Sequence, residues 1–341
     1  MITAGGTQPA AGPTVGAAPR RRGFARLAQR HPSLVGMPAL LILSLAATVA
    51  IHPEFGSFDA QSLAMGAMPL AFAAAAQTVV VISGGIDLSV GSMMAVSNVL
   101  AAVSMENATF GQSLALAAAI VLAGALAGAI NGLIVVFSRV PDVVVTLTTG
   151  FIWGGVALLL LEKPGGGAPE QFLALGAGAL FTPWLSGALV LLAAAVAIIW
   201  IPVRQSRLGL LLYAVGSDRA SALRSGVNVE LTRFLAYVLG GLFSAVGGIG
   251  LIMTTGIGSP LAGVYYTLSG LAAAVLGGVS LAGGRGGIVG PVLAAYVLTL
   301  IPTDLIFLNI DPNFGQVIQG TLIVLVVMVG GLVTLLRGRK R

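Results

Sequence analysis

The chain has 341 residues, of which 57% are hydrophobic and only 8% charged. Soluble domains carry about a quarter charged residues, so this composition cannot cover a water-facing surface. Cysteine is absent, which excludes disulfides, thiolate metal sites and cysteine nucleophiles together.

Residues 1–33 are rich in Gly, Ala, Pro and Thr and then carry Arg20, Arg21, Arg22, Arg26 and Arg30. They read as a disordered basic cytoplasmic tail. A membrane span needs roughly 20 apolar residues to cross about 30 Å of hydrocarbon. Uncharged stretches of that kind run Leu34–Ile51, Ser62–Ser83, Leu88–Met105, Asn107–Ser138, Val143–Leu161 and Gln171–Val203. Phe234–Gly284 is too long for one crossing, and Gly258-Ser259-Pro260 divides it in two. Gly286–Thr303 and Asn313–Leu336 follow, and residues 337–341 form a second basic cytoplasmic tail. Leu34–Ile51 is longer than a usual signal core, so it counts as a retained span.

These stretches predict an all-α polytopic membrane protein of about ten transmembrane helices with both termini cytoplasmic and residues 34–336 as the transmembrane domain. The charges support it. Arg139, Arg204, Arg207, Arg219, Arg224, Arg233 and Arg285 fall in alternate connections, beside the basic ends of the chain. Only Lys163 is then outside, together with Glu54, Asp59, Glu106, Glu162, Glu170, Asp304 and Asp311. Such asymmetry follows the positive-inside rule.

No phosphate-binding loop exists, because Lys163 and Lys340 precede Pro164 and Arg341 rather than Ser or Thr. Acidic residues sit mostly at span ends, which argues against ion coupling. Either the chain is a passive pore or another subunit supplies the energy.

Gly84-Gly85 breaks a span, and Asp87 then stands where a new helix begins, two residues before Ser89. Asp87 is placed to cap that helix or to shape a gate at the break, and the two roles are compatible. A second break resembles the first: GGIDLSVGSMMAVSNVLAAV from Gly84 and GGVSLAGGRGGIVGPVLAAY from Gly277 share nine of 20 residues without a gap, at an offset of 193. An internal parallel repeat accounts for this. The longest cytoplasmic connection, 202–232, contains Ser217, Asp218, Arg219, Ala220, Ser221, Ala222, Leu223, Arg224, Ser225 and Gly226. Ser217 or Asp218 can cap a short helix there, and Gly226 can end it in a left-handed turn. It is either a solvated loop or a docking helix that presents Ala220, Ala222 and Leu223 to a cytoplasmic partner.

GGIDLSVGS, INGLIVV from Ile130, TLTTG from Thr146, YAVGSDRASALRSGVNV from Tyr213 and LGGVSLAGGRGGIVG from Leu276 occur in that order. The chain in this respect resembles the permease family of bacterial ATP-driven (ABC) importers for ribose and related monosaccharides, over about Pro38 to Leu336. The resemblance implies a multi-pass protein of the bacterial inner membrane that forms the translocation pathway and is not itself an enzyme. It implies a second permease subunit, a cytoplasmic ABC ATPase that binds ATP and Mg, and a periplasmic sugar-binding protein. No cofactor, metal or nucleic acid is implied for this chain. The segment matching Ser217–Val227 would couple to the ATPase. Gly84, Gly85, Asp87 and Ser89 would form the gate. Neutral polar and aromatic groups suited to sugars within the spans are Gln77, Asn98, Asn131, Thr146, Trp153, Tyr237, Thr254 and Tyr266. Trp184 and Trp200 read as interface anchors. Where family members carry an acidic residue after a tyrosine, this chain has Thr267 after Tyr266. The competing readings are an ion-coupled secondary transporter using Asp87 or Asp142, a membrane assembly subunit, or a related permease for amino acids or nucleosides.

Overall fold

The computed structural model describes residues 32–179, 182–311 and 313–321, with 324 and 328 besides. The two basic tails expected at 1–33 and 337–341 lie almost wholly outside them. Among the described residues the fold is helical, with two isolated bridges and no strand. The helices are α1 (Pro32–Ile51), α2 (Ser57–Ile82), α3 (Val90–Met105), α4 (Phe110–Phe137), α5 (Asp142–Leu160) and α6 (Glu170–Ala177). Then come α7 (Gly187–Gln205), α8 (Arg207–Ser217), α9 (Arg219–Arg224), α10 (Val229–Thr255), α11 (Val264–Leu276) and α12 (Val289–Phe307). Of these, α2, α4, α5, α7, α10 and α12 are long and apolar enough to cross a membrane.

Local chemistry sets many of the ends. Asp59 accepts the N–H of Gly56 to open α2, and Thr109 and Gln112 form a reciprocal capping box at α4. Gly256 closes α10 in a left-handed conformation, its N–H donating to Ile252.

Two expectations are corrected. Gln171–Val203 is not one span: α6 stops when the Gly178 N–H returns to Ala174, and Ser186 caps a separate α7. The chain between them carries Pro183 and a bridge from Ala179 to Ser186. Trp200 is not an interface anchor either, because it is buried in the π-helical turn Val196–Trp200, whereas Trp184 is exposed.

The centre of the bundle is α2, almost wholly buried from Ala67 to Ile82, with α10 beside it. A Cβ on Gly128 would overlap the Tyr237 carbonyl, and one on Gly241 would overlap the Gly124 carbonyl. Glycine at these positions lets α4 and α10 pack backbone to backbone. Lipid provides no hydrophobic drive between helices, so close packing of small residues holds such pairs together.

Candidate functional site

The first break, residues 83–89, follows from its glycines. Gly84 has φ +80°, and the N–H groups of Gly84 and Gly85 return to Val81 and Val80 in the pattern of a glycine C-cap. Asp87 then turns the chain into α3, its Oδ1 accepting both the N–H (2.9 Å) and the hydroxyl (2.5 Å) of Ser89, the residue that precedes the helix. Asp87 is fully buried and its Oδ2 has no hydrogen-bond partner.

Five of the residues singled out by type converge on this break. Gln77 donates to the Asp87 carbonyl at 2.7 Å. Asn131 donates to Ser89 Oγ at 2.6 Å and accepts from Trp153 at 3.1 Å. Thr146 accepts the Leu88 N–H at 3.0 Å. Tyr237 bridges the Ile86 carbonyl and Asp142, whose two carboxylate oxygens both accept from Arg233 Nη2, at 2.5 and 2.6 Å. The arrangement stiffens a non-helical segment by satisfying its backbone groups one by one. It leaves Gln77, Asn131, Thr146 and Tyr237 buried.

Asn98, Thr254 and Tyr266 lie apart from this group. Asn98 accepts the N–H of Ser259 at 2.7 Å, Thr254 donates to the Met65 carbonyl, and Tyr266 stacks edge-on against Tyr265. The Asn98 contact marks a feature that Gly258-Ser259-Pro260 only hinted at. Residues 256–263 are non-helical and run alongside α3, with Gly258 over Ala102, Ser259 on Asn98 and Gly263 against Gly91. Gly258 also exchanges both backbone hydrogen bonds with Gly165.

Two helices therefore begin inside the bundle and meet, α3 at Val90 and α11 at Val264. The Gly91 N–H donates to Thr267 Oγ1 at 3.2 Å across the meeting point. Beside it opens a cleft of about 570 Å³, a volume suited to a small ligand. Leu88, Ser92 and Ala95 come from α3 and its approach, Gly150, Phe151, Gly154 and Gly155 from α5, and Pro260, Val264, Thr267 and Leu268 from the α11 side. No lining residue is charged, and none belongs to the group expected by type. Leu88, Ser92, Leu147, Gly150, Pro260 and Thr267 lie in or beside segments that stood out in the sequence, but none was read there as a lining residue.

The second break, 277–288, repeats the glycine turn with its register moved by one residue. The positive-φ glycine is Gly278, whose N–H, with that of Val279, returns to Val275 and Ala274. Its structural counterpart is Gly84, so the offset is 194 rather than 193.

In the connection 202–232 the Asp218 cap forms as read, its Oδ1 accepting the N–H groups of Ala220 and Ser221. The Ser221 hydroxyl and N–H hold the Asp218 carboxyl below the usual range. Gly226 has φ +79° and ends the turn. Ala222 faces inward and is buried, contrary to the expected outward presentation, so α9 offers Ala220, Ser221, Leu223 and Arg224 to its surroundings. Helix α8 was not anticipated. Among the described residues no cluster of His, Asp or Glu could hold a metal ion.

Comparison with known proteins agrees with this architecture. The family described as branched-chain amino acid transport system / permease component matches residues 60–327. The ribose import permease protein RbsC of Escherichia coli strain K12 is 34% identical over 272 residues, covering 76% of this chain and 81% of the relative. The fructose import permease protein FrcC of Rhizobium meliloti is 30% identical, covering 88% of this chain and 86% of the relative. The autoinducer 2 import system permease protein LsrC of Salmonella typhi is 31% identical, with 84% of each covered. No solved structure matches. The chain belongs to this family of membrane transport permeases, as its motifs implied.

Proposed function

We propose that this chain is the membrane permease of an ATP-driven importer for a monosaccharide or similar small polyol. The observation that carries the reading is the uncharged cleft where two interrupted helices meet. A sugar presents many neutral hydroxyls, which suit the hydroxyls of Ser92 and Thr267, the face of Phe151 and backbone groups freed at the helix starts. An amino acid would bring two charges into a lining that offers none, at a high desolvation cost. Relatives whose names specify ribose and fructose import support the same choice. Asp142 is already neutralised by Arg233, which disfavours it as an ion site.

In this reading the chain crosses the inner membrane ten times with both termini inside. The open side of the cleft, flanked by exposed Phe151 and Val264, closes against a second permease subunit. A periplasmic binding protein delivers the sugar, and α9 docks on an ATPase that carries ATP and Mg. The natural absence of cysteine makes topology directly testable. Thr109→Cys should react with an impermeant thiol reagent in intact cells, and Ser221→Cys only after the membrane is opened. Labelling of Ser221→Cys in sealed cells would overturn the ten-span arrangement. For the substrate, uptake in proteoliposomes holding the whole complex should be seen with labelled ribose, fructose or galactose and not with labelled leucine. Leucine uptake without sugar uptake would refute the reading.

A further inference from the structure

Three segments far apart in sequence meet at one point on the α9 side of the bundle. The Gly284 N–H donates to the Ile82 carbonyl at 2.9 Å, so the second break is bonded directly to the end of α2. Gly216, in the last turn of α8, is wedged between them: a Cβ there would overlap the Ile82 carbonyl and stand 2.7 Å from the Gly284 nitrogen. Two side chains from the same cytoplasmic segment then reach outward, one to each break. Arg219 Nη2 donates to the Gly84 carbonyl at 2.6 Å, and the Tyr213 hydroxyl donates to the Gly286 carbonyl at 2.8 Å. The Arg204 guanidinium lies over the Tyr213 ring, 4.6 Å from its centre, and holds the ring in place.

Both acceptors are carbonyls in non-helical breaks, outside any helix ladder. Both donors sit on helices separated by a single residue, Asp218, whose carboxylate caps the second helix. At the other end of that short helix the apolar side chain of Leu223 is 61% exposed among the described residues. One stiff piece thus has a bare apolar contact at one end and a bond to each break at the other.

We propose that Arg219 and Tyr213 are positioning residues that carry movement of α9 into both helix breaks, so that the breaks open and close as one unit. The inference rests on the reading of α9 as the ATPase-docking helix. Packing around Gly216 is too tight for α8 to slide past the breaks, so a push on α9 must turn the three segments together. Energetic coupling needs such a two-state element biased from both ends.

The test uses the full complex with its ATPase and a single cysteine, Leu281→Cys, at the tip of the second break. Reaction of that cysteine with a maleimide is timed with and without nucleotide trapped by vanadate, on complexes isolated with nucleotide bound. Trapping should change the rate roughly fivefold, the lower end of ordinary coupling between two sites. Adding Arg219→Ala together with Tyr213→Phe should reduce the change to under about twofold. Arg219→Lys, which keeps a donor, should retain most of it. A change that persists in the double variant, or no change in the parent, overturns the proposal. Leu223→Glu separates the two ideas, since it touches neither break. It should prevent the ATPase from co-purifying; if instead the complex forms and responds normally, the docking reading is what fails. Loss of docking in Leu223→Glu with an unaltered response in the double variant rejects the transmission alone.

Discussion

The two helix breaks begin with the same glycine turn and then diverge. The first spans residues 83–89 and is enclosed, its backbone groups taken up by Gln77, Thr146 and Tyr237 and by the Asp87 carboxylate, which accepts the Ser89 N–H. The second spans 277–288 and leads into α12, which like α3 starts without a side-chain N-cap bond. It folds on itself instead, with the Ser280 N–H donating to the Arg285 carbonyl and Gly283 returning to Ser280. Leu281 and Arg285 at its tip are exposed. The first break is held by side chains from α2, α4, α5, α9 and α10, the second by its own backbone, by the Tyr213 hydroxyl and by contact with Gly216. The same turn chemistry therefore supports an enclosed element and an exposed one, and the surroundings decide which.

The largest test of this contrast strikes both breaks at their shared contact. Gly216→Val would drive a branched side chain into the Ile82 carbonyl and the Gly284 nitrogen. It should destabilise the chain by about 3 kcal/mol, the upper range for overpacking, seen as a lowered melting temperature in detergent. Unchanged melting would mean that the three segments are not in contact.

Next comes the carboxylate of the first break. Asp87→Ala leaves the buried N–H of Ser89 without an acceptor and should cost about 2 kcal/mol. Asp87→Asn preserves an accepting oxygen and should stay within about 0.5 kcal/mol of the parent. Uptake should follow stability, with the Asn variant retaining more than half of parental transport. An Asn variant that folds and assembles but does not transport would show that the gate requires charge.

The smallest effect belongs to the second break. The Ser280 hydroxyl makes no hydrogen bond among the described residues, although it occupies the place of Asp87 in the ungapped alignment. Ser280→Ala should therefore change stability by less than about 0.5 kcal/mol. A cost matching that of Asp87→Ala would erase the distinction between the two breaks.

Features encoded within a few neighbouring residues were legible in the sequence. Gly84-Gly85 followed by Asp87, and Asp218 followed eight residues later by Gly226, each fold as their local chemistry demands. What depended on distant partners was not legible. Helix α8 lies within the stretch read as a connection, 202–232, and its bond to Gly286 and its contact with Ile82 come from remote parts of the chain. Choosing lining residues by polarity also misled. Gln77, Asn131 and Tyr237 spend their polar groups on the first break, while Gly154, Gly155 and Leu268 line the cleft without any chemical signature. The register of the repeat slipped because GG pairs at 84 and 277 align by letter, whereas φ selects Gly84 and Gly278.

The non-helical course of residues 256–263 bears on the order in which the protein can be made. A helix leaving the ribosome satisfies its own amides in lipid, but an irregular segment cannot. This one takes its partners from Asn98 and Gly165, in parts of the chain synthesised earlier. The hairpin of α10 and α11 thus reaches its final depth only against a scaffold already in the bilayer, and synthesis from the N-terminus provides that scaffold first. A chain permuted to begin at Val229 would present the hairpin to the bilayer with its apex bare.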